Sequence, residues 1–137
     1  MRKTKPGDID VERVVEFWRL EAEEALLVSD HLMEKRDYSY ALFFGHLAVE
    51  KLLKAIYVTT HGKHAPPIHN LLVLAKSSDV HLDEEQTRVL AALMVYHIEA
   101  RYPDLKREFR KRCTKSFAME EMRKIKKVFA WLKSNLP

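Results

Sequence analysis

The chain of 137 residues predicts an all-α protein, an up-down bundle of about five helices. Three observations lead there. Apolar residues recur at spacings of three and four over long stretches, the period of a helix buried on one face. Only three glycines and five prolines occur, and four of the prolines lie outside those stretches. No segment alternates apolar and polar residues as a half-buried strand does. Hydrophobic residues make up 47% of the chain, too many for a disordered protein. The length fits one domain over 1–137, with residues 1–9 expected to be flexible.

The first helix is expected from about Val11 to Lys35. Val11, Val15, Trp18, Ala22, Ala25, Ser29 and Leu32 share one face, and Asp8 or Asp10 is placed to cap it. Arg36 to Ser39 breaks the pattern, and Asp37 or Ser39 can cap the next helix. This second helix, Tyr40 to about Thr60, is apolar on two adjoining stripes: Ala41, Phe44, Ala48, Leu52 and Ala55, then Gly45, Val49, Leu53 and Ile56. Such a helix is buried against several others, so it should be central. Its apolar surplus also argues for a dimer, with the second or fourth helix at the interface. Gly62 is its expected stop, followed by a loop through Pro66-Pro67.

A short third helix is expected from about Asn70 to Lys76. The fourth should run from Asp83, a good cap, to Arg101, with Leu90, Leu93, Met94, His97 and Arg101 inward. Pro103 then forces Tyr102 to be extended, and a basic, irregular stretch is expected to follow. The fifth helix is expected over about Phe117 to Asn135, with Ala118, Met122, Ile125, Phe129, Leu132 and Leu136 inward.

Cys113 stands alone, so no intrachain disulfide and no zinc site built on cysteine pairs can form. Its neighbourhood, KREFRKRC, is basic enough to lower a thiol pKa, yet no nucleophile motif surrounds it. No apolar run reaches bilayer length, and MRKTKPGD carries no signal-like apolar core, so the expected location is cytoplasmic, with no membrane contact. Net charge is +4, unevenly spread. Residues 101–127 carry eleven Lys or Arg against four Asp or Glu, a lobe that either attracts nucleotide, RNA or an acidic partner or is simply a solvated helical face.

Charged groups on the apolar second helix need partners or a task. His46, Glu50 and Lys54 follow one another by four residues and form one polar line; Lys51 lies one step round. Lys54 can pair with Glu50, or Lys51 and Lys54 can meet phosphate at a cleft. His69 stands where the third helix begins, a place that favours an anion; otherwise His69 or Asn70 caps that helix. Arg101, expected inward, wants a carboxylate such as Asp104 or Glu50, or a phosphate held by two hydrogen bonds. The seven histidines show no zinc-hydrolase spacing: His61, His64 and His69 lie in or beside one loop, with no acid at helical pairing distance. No metal and no cofactor are expected.

Three segments taken together carry a family resemblance. They are YALFFGHLAVEKLLKAIYV at 40–58, PPIHNL at 66–71 and YHIEARYPD at 96–104. In this order and spacing they resemble the HEPN family, the nucleotide-binding domain of higher eukaryotes and prokaryotes, from about Trp18 to Leu132. The resemblance implies a helical bundle and a symmetric homodimer. Ribonucleases of the family carry an Arg followed, after four to six intervening residues, by a His near the start of the last helices, and two subunits build the active site. No Arg here has a His at that spacing; His97 and Arg101 carry the two residue types in reverse order. The A-R-Y-P-D segment instead resembles the branch found beside minimal nucleotidyltransferases.

The expectation is therefore a non-catalytic protein that binds a nucleotide or pairs with a nucleotidyltransferase in a toxin–antitoxin-like module. Its candidate cleft residues are Lys51, Lys54, His69, Arg101, Tyr102 and Asp104. The alternatives are an RNA-cleaving toxin using His97 and Arg101, and a dimeric interaction module without ligand.

Overall fold

The structure, a computed structural model, describes residues 9–137. Asp8, one of the two expected caps for the first helix, lies outside the described residues. Six helices occur in order: α1 (Val11–Glu34), α2 (Tyr38–His61), α3 (Leu71–Ser77), α4 (Glu84–Glu99), α5 (Pro103–Arg112) and α6 (Lys115–Lys133). No strand occurs among the described residues.

The helix ends are written in the sequence. Asp10 accepts from the Arg13 amide at 3.2 Å, Asn70 from the Val73 amide at 3.0 Å and Thr114 from the Phe117 amide at 3.3 Å. Asp83 and Gln86 cap α4 reciprocally, at 2.7 and 2.9 Å. Gly62 ends α2 with φ of 66°, a conformation in which a side chain is strained.

α5 is the departure from expectation. Pro103 starts a helix where an irregular stretch was expected. Its missing N–H is no loss at the first helical position, and its fixed φ suits the turn. The restriction on Tyr102 does hold: it caps α5 in an extended conformation. In consequence α4 stops at Glu99, two residues short of Arg101.

α2 packs against all five other helices. Leu42, Ala48, Val49, Leu52, Leu53 and Ala55 along it are buried, so both of its apolar stripes are covered inside the protomer. At Gly45 a β-carbon would lie 3.1 Å from Ile125 Cδ1, which is how closely α6 approaches. Exposed large apolar residues lie elsewhere: Phe17, Leu20 and Leu27 on α1, and Val95, Ile98, Tyr102 and Leu105 across the α4–α5 junction. None of the described helices is long and apolar enough to cross a membrane.

Candidate functional site

The polar line on α2 is buried, and the fold brings two more histidines to it. Glu50, only 4% exposed, is the hub. Its Oε2 accepts from Lys54 Nζ at 3.2 Å, the intrahelical pair expected from the spacing. Its Oε1 lies 2.9 Å from His69 Nδ1, which arrives on the segment leading into α3. His46 Nδ1 stands 3.7 Å from the same oxygen, beyond hydrogen-bond reach. Lys54 is buried too, its ammonium 5.2 Å from the Trp18 ring centre, where a cation–π contact adds to the ion pair.

His97, on the inward face of α4, completes the cluster. Its ring stacks between Phe43, at 5.2 Å, and His46, at 4.1 Å between ring centres. Burial drives the His46 pKa down to about 3, and the neighbouring His97 adds to the shift. Burial likewise lowers His97, helped by the positive charge of Arg101. His46 is therefore neutral at pH 7, and burial disfavours the charged form of His97 as well. Neither nitrogen of His46 has a hydrogen-bond partner among the described residues.

Arg101 is exposed, not inward. The end of α4 at Glu99 takes it off the apolar stripe. Among the described residues it pairs with neither Glu50 nor Asp104; its guanidinium lies 5.9 Å from the Tyr102 ring centre. Tyr102 is half exposed. Asp104 is exposed in the first turn of α5, where a carboxylate complements the helix dipole. Lys51 bonds Glu21 of α1 at 3.3 Å and belongs to the α1–α2 seam. The six cleft candidates thus divide. His69 and Lys54 meet at Glu50, and Arg101 and Tyr102 form an exposed rim, with the Arg101 charge felt at His46 and His97. Asp104 and Lys51 have local roles.

His46 and Glu50 were visible as a polar line on the apolar second helix and His97 as a polar residue on the inward stripe of the fourth, but their convergence with His69 depends on tertiary closure. Cys113 is buried, and burial raises its pKa to about 11 against the opposing pull of Arg112, so it is not a reactive thiolate. A groove of about 400 Å³ between α4 and α6 is lined by Glu85, Arg88, Tyr96, Glu121 and Lys124 among others; no cluster residue lines it.

No curated protein sequence matches the chain. Its fold is similar to that in the crystal structure of TT1696 from Thermus thermophilus, with a TM-score of 0.76 and 25% identity over 89% of this chain and 98% of that one. Residues 15–135 match the HEPN domain, a span that holds every residue of the cluster and both rim residues. The chain belongs to the HEPN domain family.

Proposed function

We propose that this HEPN protein binds the phosphate of a nucleotide at the exposed rim formed by Arg101 and Tyr102, with His69 of the neighbouring cluster as a further contact, and without chemistry of its own. The observation that carries the reading is Arg101. It is an exposed guanidinium with no carboxylate partner among the described residues, beside a half-exposed aromatic ring. A guanidinium can hold phosphate through two hydrogen bonds, and an adjacent ring can stack a base. The basic surface continues along α5, where Lys106 and Arg110 flank the Tyr40 ring at 5.2 and 5.5 Å. Calorimetry with ATP and AMP tests this. Arg101→Ala should weaken binding by about 1.5–3 kcal/mol, the range for a hydrogen bond to a charged group. Failure of the native protein to bind either nucleotide would end the reading.

The same reading includes a two-fold homodimer and, from the A-R-Y-P-D resemblance, pairing with a minimal nucleotidyltransferase in a toxin–antitoxin-like module. The exposed row Val95, Ile98, Tyr102 and Leu105 supports a protein contact on the α4–α5 side.

One observation favours RNA cleavage as a second reading. Glu50 holds Nδ1 of His69, whose side chain is 58% exposed, as a carboxylate orients a catalytic imidazole. His97, the residue expected for that task from the sequence, is buried in a ring stack and badly placed to exchange protons with a substrate. Incubation with a mixed RNA pool separates the readings. Cleavage lost in both His69→Ala and Arg101→Ala would promote the second.

A further inference from the structure

The geometry points to a metal site for one divalent cation of the zinc class, held by His46, Glu50 and His97 with His69 beside them, inside the α2–α4 contact. One donor atom from each of the first three residues lies within 4.8 Å of the others, and all three residues are buried. The expected tetrahedral ligand separation is about 3.3 Å, from metal–nitrogen bonds of about 2.0–2.1 Å. His46 Nδ1 and Glu50 Oε1 are already at 3.7 Å, and His69 Nδ1 and that oxygen at 2.9 Å. His97, whose ring is stacked on His46, has to turn to bring a nitrogen to the same point.

The second observation is independent of spacing. His46 is 1% exposed, and neither ring nitrogen has a partner within hydrogen-bond geometry among the described residues; the backbone of His69 approaches it and works against the fall in its pKa without completing a bond. An unsatisfied buried donor or acceptor is costly, and such groups call for a specific explanation. A metal on one nitrogen supplies a partner. Lys54 supports the arrangement rather than opposing it: it holds Glu50 Oε2 and leaves Oε1 to face the histidines. A ligating carboxylate ordinarily has such an outer partner. Imidazole nitrogen with one carboxylate suits zinc, cobalt or nickel and is poorly matched to magnesium or calcium. Bound there, the ion ties α2 to α4, and His69 can extend the tie to the segment before α3. This site does not depend on nucleotide binding.

The test uses tag-free, chelator-treated full-length protein and cobalt(II) alone. The expected result is one equivalent bound, with the intense visible absorption of four-coordinate cobalt, displaced by zinc. Saturating zinc should raise the melting temperature. His46→Leu and His97→Phe should each weaken binding by at least about 100-fold, the upper end of what even an outer-shell partner is worth. A His61→Asn/His64→Asn double variant should bind as the native protein does. Should either core variant fail to fold, imidazole NMR of the native protein decides: zinc must shift the His46 and His97 rings. The absence of one-to-one binding overturns the proposal. So does binding that persists in both core variants, is lost in the double variant, or leaves the His46 and His97 rings unshifted.

Discussion

At the scale of the residue, His46 concentrates the physics of this protein. It is a titratable ring placed on the most buried helix, and burial has taken its pKa down to about 3. The unfolded chain holds that ring near its ordinary value of about 6.5. Between the two values the unfolded state binds the proton and the folded state does not. Stability from this residue is therefore complete above about pH 6.5 and is lost as pH falls toward 3. The slope approaches about 1.4 kcal/mol per pH unit at full difference. In chelator-treated protein, urea unfolding between about pH 7 and 4 should show this loss, and His46→Phe should flatten it. An equal slope in both proteins would mean that His46 is accessible to protons in the folded state.

Much of this residue-level picture was legible in the sequence. His46, Glu50 and Lys54 fall on one helical line by spacing alone, and the Glu50–Lys54 pair follows from that. The bond from His69 to Glu50 was not legible, because it joins residues nineteen apart through a loop whose path no local rule specifies. Arg101 was misplaced for a local reason. Extending the α4 stripe by one more turn makes it inward, but Pro103 ends the helix before that turn is complete.

At the scale of the element, α5 shows how weakly a short charged helix announces itself. Among its ten residues only Phe109 is buried, so there is no stripe to count. Pro103 reads equally as a stop for α4 and as the first residue of the next helix. What holds α5 down is the Phe109 ring, fully buried and stacked on Tyr96 at 5.4 Å between centres. Tyr96 is in turn fixed by its hydroxyl, which donates to Glu121 of α6 at 2.5 Å. Phe109→Ala should cost about 3–5 kcal/mol, as for other buried phenylalanines. Hydrogen exchange should show amide protection lost first from α5, with α1 and α2 retained. Uniform loss across all helices would show instead that α5 is cooperative with the whole core. The long helices were predictable to within two or three residues, because caps such as Asp10, Asn70, Asp83 and Gly62 sit at the ends of clear periodic patterns.

At the scale of the molecule, charge and apolar surface are unevenly distributed. On α6 several cations are taken up by neighbours: Arg123 by Glu120, Lys124 by Glu121 and Lys126 by Asp30. The unpaired positive charge concentrates around α5, where Arg101, Lys106, Arg107 and Arg110 have no carboxylate partner among the described residues. The exposed apolar row of Val95, Ile98, Tyr102 and Leu105 is on the same side. α2, whose apolar surplus argued for a dimer, spends that surplus inside the protomer; of the two helices expected at the interface this favours α4, whose exposed Val95 and Ile98 lie beside α5, over α2. Sedimentation at micromolar concentration should give a dimer mass, and Ile98→Glu should give a monomer. A native monomer would remove the dimer from the account.

The proposed phosphate site at the rim of the buried polar cluster rests on Arg101 and His69. Chemical-shift mapping on isotope-labelled protein during addition of ATP tests it most directly. The Arg101 guanidinium, the His69 ring and backbone amides around residues 100–106 should shift together and saturate, while adenosine without phosphate should leave the Arg101 signal in place. Shifts confined to α1 or to the α4–α6 groove, or no saturable shifts at all, would contradict it.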